Sequence, residues 1–218
     1  IMALKFSESP AVTVREIDLT GVVPSVTSTT GAFVGDFNWG PVNTPVLVGT
    51  ESELASTFGS PLAGDAYAGD FLSVAHFLKY SSSAFVVRAP KSGSATAAAS
   101  PFSAKYPGVL GNTLSADVCD ASTWETLDSD GSVVSSWTYQ SLFSSAPEGD
   151  ELHIVVLSGS DVVDTFAYVS TDPNAKLDNG STNFVTEVVT SGSSWVDLSG
   201  VPSAGTYSLT GGLDGTTP

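Results

Sequence analysis

"AFVGDFNWGPVNTPVLV", residues 32–48, decides how the first half of this chain folds. Residues 32–37 form an apolar run that reads as a short buried strand, and residues 46–48 resume as a second one. Between them, Asn38-Trp39-Gly40-Pro41 is turn chemistry. Pro41 removes a backbone donor and ends the strand, and Gly40 is free to take a positive φ. Gly35 leaves no side chain within the run, which suits close approach by another element. Trp39 is too large to leave in water, and its indole N–H needs a partner. The expectation is a corner at the end of a core strand, anchored by Trp39.

The next segments build outward from that corner. "TESELASTFGSP", residues 50–61, predicts a short helix with both ends marked. Thr50 is the N-cap, Glu53 its reciprocal partner, and Gly59 with Pro61 stops it. Leu54 and Phe58 fall on one face. "GDFLSVAHFLKYSSS", residues 69–83, predicts a second helix with Asp70 as cap or first-turn acid. Its apolar stripe is Phe71, Val74, Ala75 and Leu78. "AFVVRAP", residues 84–90, reads as another buried strand. Residues 21–90 therefore read as a small α/β layer unit.

Before it, "AVTVREIDL", residues 11–19, alternates with period two, but its apolar parity changes at Arg15–Glu16. A strand half-buried in its own sheet keeps one parity. Either a bulge or an extended arm touching different surfaces accounts for the change, and residues 1–20 are read as an N-terminal arm.

Beyond residue 90 the character shifts. Residues 91–105 are small and polar at their start and read as a linker. Residues 106–200 read as an acidic β-rich, β-sandwich-like module, with strands expected at 113–119, 133–139, 151–158 and 161–170. "SGSD" between the last two is a hairpin signal. "STNFVTEVVTSGS" fits a helix capped by Ser181 or Thr182 and stopped at Gly192, although its Val and Thr content also suits a strand. "SSWVDL" is a further short strand. Residues 201–218 are rich in Gly, Ser and Thr and read as a linker carrying one strand-sized piece at 207–210. The fold class expected is α+β.

Composition bounds the function. Charged residues are only 14% of the 218, and net charge is −16. Residues 1–105 hold eight acids and six bases; residues 106–218 hold fifteen acids and Lys176 alone. Such a second half repels nucleic acid and anionic membrane, and no apolar stretch is long enough to span a bilayer. Cys119 is the single cysteine, so disulfides within the chain and zinc clusters are out. It lies on the strand face opposite Leu114, Ala116 and Val118, as a packed thiol would.

Catalytic signatures are missing. His76 and His153 sit in no metalloprotease spacing and beside no nucleophile elbow. "DSDGS", residues 128–132, begins like a calcium loop, but Val133 and Val134 break the pattern, so an Asp-Gly turn explains it better. "NGS", residues 179–181, matches a glycosylation acceptor, which matters only in a secretory pathway. No catalytic residue, metal or cofactor is expected. An alternative of a different class is a carbohydrate-binding or adhesion module of a phage or secreted surface protein, stacking sugars on Trp124, Trp137, Tyr139 and Trp195.

The motifs fall into a known order. "SPAVTVREID", "GAFVGDFNWGPVNTPVLVGTESELASTFGSP", "FLSVAHFLKYSSSAFVVRA", "KYPGVLGNTLSADV" and "GGLDG" together resemble the tail sheath proteins of contractile-tailed bacteriophages and related injection machines. The resemblance covers residues 9–118 well, is looser over 150–198, and returns at the final Gly-Gly. One departure is Ala11, where the family usually has Gly. The resemblance implies a structural subunit, not an enzyme. It would stack in six-fold rings of its own copies around the tail tube and contract to drive the tube through the host envelope. Residues Val12, Thr13, Val14, Arg15, Glu16 and Ile17 would serve as an inter-subunit arm adding a strand to a neighbour's sheet. Residues Asn38, Trp39, Gly40 and Pro41 would be a structural corner. The resemblance further implies a larger subtilisin-like α/β domain after residue 218. Tube protein, baseplate and tail terminator would be partners of the full-length protein, with neither nucleic acid nor direct membrane insertion involved. The location implied is the virion, after assembly in the host cytoplasm.

Overall fold

The computed structural model describes residues 30–61 and 64–216; the expected arm, Val12 to Ile17, lies outside them. The fold is mixed α+β and mostly sheet. The first unit is a three-stranded sheet of β1 (Thr30–Gly35), β2 (Val46–Val48) and β3 (Ser83–Arg88), in the order β1-β3-β2. Strand β1 runs parallel to β3, and β2 runs antiparallel to it. Helices α1 (Glu51–Phe58) and α2 (Ala68–Leu78) connect β2 to β3 and cover one face. Leu54, Phe58, Phe71 and Val74 meet Val48, Ala84 and Val86 there.

That one-sided cover corrects the reading of fully buried strands. Val34 is 73% exposed, Leu47 53% and Phe85 45%, all on the sheet face away from the helices. An apolar run suits burial on both faces, but side chains alternate across a sheet, so each strand hides only every second residue here.

Helix α1 is terminated as its sequence predicts. Thr50 Oγ1 accepts from Glu53 N–H at 3.1 Å. Glu53 reaches back one residue further than expected and accepts from Gly49 N–H at 2.9 Å. Thr50→Ala should lower stability by about 1 kcal/mol, measured by urea unfolding, because one first-turn N–H loses its acceptor. Of the two roles expected for Asp70, the structure gives it the first-turn acid and not the cap: the helix starts at Ala68, and Asp70 accepts from Asp36 N–H at 2.8 Å, tying the helix to the end of β1.

The second unit holds two sheets and a hairpin. A four-stranded antiparallel sheet runs β10-β9-β6-β12, made of β6 (Leu114–Cys119), β9 (Glu151–Ser158), β10 (Asp161–Ser170) and β12 (Gly205–Ser208). A three-stranded sheet runs β11-β5-β4, made of β4 (Ala98–Ala99), β5 (Phe102–Ala104) and β11 (Val196–Leu198). Both sheets and α4 (Val185–Gly192) share one core, including Phe102, Leu114, Ile154, Val156 and Val189. Residues 91–105, read as a linker, thus contribute two strands and bury Ala97, Phe102 and Ala104. Small residues there serve close packing; Ala97 is fully buried.

Strand β9 carries six consecutive buried residues because both its faces are covered. Its second face, around His153, lies under Trp124, Trp137 and Phe143. A short helix α3 (Ala121–Trp124), capped by Asp120, leads into the β7–β8 hairpin (Glu125–Leu127 and Val133–Ser136), whose every strand residue is exposed. Neither Ser181 nor Thr182 caps α4: the N-cap is Phe184, with no side-chain bond. Thr182 Oγ1 instead accepts from Phe184 N–H at 3.2 Å.

Candidate functional site

Trp39 leaves the small unit and enters the core of the larger one. It is 2% exposed and belongs to the cluster built on β5, β6 and β9. Its ring stands edge-on to Tyr106 at 5.3 Å and stacks on Trp195 at 5.4 Å between centroids. Its indole N–H donates to Ser194 O at 3.4 Å, and its backbone N–H donates to Phe58 O at 3.0 Å. Phe37, two residues earlier, stays in the small core against Phe58. Gly40 takes φ +99°, and a Cβ there would lie 2.6 Å from Thr57 O, so only glycine fits. The corner at residues 38–41 is where one core hands over to the other.

Arg88, at the end of β3, closes the corner from beneath. It is 4% exposed. Its Nη1 donates to Gly40 O at 3.1 Å, and its Nη2 donates to Pro107 O at 2.8 Å. Burial pushes its pKa down, while Asp36, Asp214 and Tyr67 oppose that through their charge. Around the guanidinium the Tyr106-Pro107-Gly108 turn meets the segment 211–215. Asn112 and Gly212 exchange two hydrogen bonds, 2.9 Å and 2.7 Å. Asp214 accepts from Val109 N–H at 2.7 Å. A side chain at Gly212 would collide with Gly108 O. Stretches that lie far apart in sequence therefore converge on one junction: Trp39-Gly40, Phe58-Gly59, Arg88, Tyr106 to Asn112, and Gly212 to Asp214. Sequence reasoning did not single out Arg88. Its signal was a lone cation ending an otherwise apolar strand, "AFVVR".

His153 is fully buried. Its Nδ1 accepts from Tyr168 N–H at 3.1 Å, which leaves the proton on Nε2, facing Ser145 O at 2.9 Å. Both ring nitrogens are thus held by backbone. His76 lies exposed on α2. Burial is the largest influence on the Cys119 thiol and pushes its pKa up, away from the reactive thiolate. Residues 128–132 form the hairpin turn, with Asp128 Oδ1 accepting from Asp130 N–H and Ser132 N–H, both at 2.9 Å. Among the described residues no group of three or more His, Cys, Asp or Glu could hold a metal.

The four aromatics of the sugar-stacking alternative do not share a face. Trp195 packs on Trp39, whereas Trp124, Trp137 and Tyr139 cluster over His153. Within that cluster the rings meet one another, Trp137 against Tyr139 at 76° and against Phe143 at 33°, instead of forming a flat row.

Comparison with known proteins follows the same motifs. Residues 28–89 match the family described as the N-terminal region of domain III of the tail sheath protein Gp18. Over 175 residues the chain is 35% identical to the tail sheath protein of Salmonella phage ViI, covering 70% of this chain and 26% of that protein. It is 36% identical over 81 residues to the tail sheath protein of Enterobacteria phage T4, covering 37% of this chain and 12% of that one. The crystal structure of a sheath tail protein from Desulfitobacterium hafniense matches all of this chain and 40% of that one, with a TM-score of 0.50 at 14% identity, and shares its fold. The likeness to phage tail sheath proteins read from the motifs holds. The chain spans about a quarter of the Salmonella phage relative, by the 26% that is matched.

Proposed function

We propose, from the premise that this chain is a relative of phage tail sheath proteins, that it is part of a structural subunit of a contractile tail sheath. The identity of 35% over 175 residues to a protein of that name carries the reading. Copies of the full-length subunit stack in six-fold rings around the tail tube, and the polymer contracts to drive the tube through the host envelope. Tube protein, baseplate and tail terminator are partners of the full-length protein, a subtilisin-like α/β domain completes it, and assembly takes place in the host cytoplasm. The work is done by differences in packing between two lattices and needs no catalytic residue or cofactor.

In this reading residues 1–20 are an arm, and Val12 to Ile17 extend a neighbour's sheet by backbone pairing. Residues 21–90 belong to the sheath core. Residues 106–200 are an outer module, completed by β4 and β5 before it and β12 after it, whose two sheets pack as layers, and the corner 38–41 fixes that module to the core. Contacts between copies are heterologous, as an open helical polymer requires.

Electron microscopy of the overexpressed full-length protein tests this. Tubular polymers of two diameters are expected, matching extended and contracted lattices. A protein that stays monomeric at every concentration and salt condition, and is absent from purified tails, overturns the reading.

A further inference from the structure

The "NGS" stretch at residues 179–181 takes no part in the junction or in the sheath reading. The chain has six asparagines, and Asn179 alone is followed by glycine. That neighbour matters. The peptide nitrogen after an asparagine can attack the carboxamide carbon, and a side chain on the attacking residue hinders the approach. Asn38, Asn43, Asn112, Asn174 and Asn183 precede Trp, Thr, Thr, Ala and Phe, each with a Cβ at that place. Asp130 and Asp214 also precede glycine, but a carboxylate is a poorer electrophile than a carboxamide.

The structure puts the pair at the tip of a small hairpin. Lys176 bridges to Thr182, and Asn183 N–H donates to Ala175 O at 2.9 Å. Asn179 and Gly180 are exposed, and Gly180 takes φ +82° with nothing within 4 Å of where a Cβ would stand. Asn179 Oδ1 accepts from Ser181 N–H at 2.9 Å. This Asx turn closes a ring that contains both reacting atoms, the carboxamide Cγ and Gly180 N, and the hydrogen bond draws electron density from Cγ. One contact opposes the attack. Gly180 N–H donates to Leu177 O at 2.8 Å, and that bond must break before the nitrogen is free. The turn both assembles the site and gates it.

We propose that Asn179 is a self-modification site, converting to aspartate and isoaspartate when the Leu177–Gly180 turn opens. Gly180 N loses its proton and bonds to Cγ. The Cγ–Nδ2 bond breaks, and Nδ2 takes up a proton and leaves as ammonia. Solvent water then opens the cyclic imide. Addition at Cγ gives aspartate; addition at the main-chain carbonyl carbon of residue 179 gives isoaspartate. Either product sets a new negative charge beside Asp178, in a half of the chain that already holds fifteen acids and one base. Isoaspartate also lengthens the main chain of the turn by one carbon. The bonds Gly180 N–H to Leu177 O and Leu177 N–H to Ser181 O, 2.8 Å and 2.9 Å, then no longer close in the same register. The reaction needs only water and does not depend on polymerisation, so its outcome leaves the sheath reading untouched.

Full-length protein held at mildly alkaline pH, folded and in guanidinium chloride, tests this by mass spectrometry of the tryptic peptide that begins at Leu177. The amide-to-acid mass gain is expected on Asn179 before any other asparagine, as separable aspartate and isoaspartate forms. It should be about tenfold slower in the folded protein than in denaturant, because the turn's hydrogen bond must open first. Asn179→Gln should abolish the gain at this position, and Gly180→Ala should slow it in denaturant, where the fold plays no part. Another asparagine converting first, no conversion at Asn179 in the folded protein, equal rates folded and denatured, or a rate in denaturant unchanged by Gly180→Ala would each overturn the proposal.

Discussion

Trp39→Ala should lower the unfolding free energy by about 3–5 kcal/mol, the range for removing a large aromatic from a packed core. The side chain is 2% exposed and touches Tyr106 and Trp195, so truncation opens a cavity that the two rings cannot collapse to fill. A second effect comes from its position. Trp39 is carried by the small unit but packed in the core of the larger one, so it couples their unfolding. Urea denaturation of the unaltered chain should show one transition by fluorescence and circular dichroism alike. In the variant the two probes should separate, as the cores open independently. A loss below about half a kcal/mol would contradict the burial.

How much of this was readable in the sequence depends on how local each signal is. The bounds of helix α1 were readable, because Thr50 and Gly59 act within one turn of where they stand, while Glu53 took Gly49 N–H in place of Thr50 N–H. Strands β9 and β10 came out with the bounds expected, since a Gly-Ser tip between two long β-branched runs leaves little choice. The strands at 98–99 and 102–104 were hidden in a small, polar-looking stretch, because Ala97 and Ala104 are chosen for close approach to Gly111 and not for hydrophobic bulk. The exposure of Val34, Leu47 and Phe85 was unreadable: an apolar residue in a strand does not say whether anything covers its face. Arg88 was missed for the same kind of reason. The carbonyls it serves, on Gly40 and Pro107, lie 48 and 19 residues away.

Arg88→Met is expected to cost about 2–4 kcal/mol by the same urea measurement. The methionine fills most of the volume, but the buried Gly40 O and the partly buried Pro107 O are left without donors, at about 1–3 kcal/mol each before relaxation, Pro107 toward the low end. Lys is no substitute, since one ammonium cannot reproduce the planar fork that reaches both carbonyls, so Arg88→Lys should recover less than half of the loss. Because Arg88 and Trp39 hold the same corner, the double variant should lose less than the two single losses added together. Additive losses within experimental error would show that the corner is not a single coupled unit.

The clasp between Asn112 and Gly212 has a bearing on the order in which the nascent protein matures. Its two halves are 100 residues apart. At roughly 5–20 residues per second, about 5–20 s of translation separate them. The ribosome therefore releases the Trp39–Arg88 corner well before the strap that locks Pro107 and Gly108 over it arrives. A chain truncated between Asn112 and Gly212 would carry a finished helix pair and an unfastened hinge, and trypsin or a cellular protease would find it at residues 91–97.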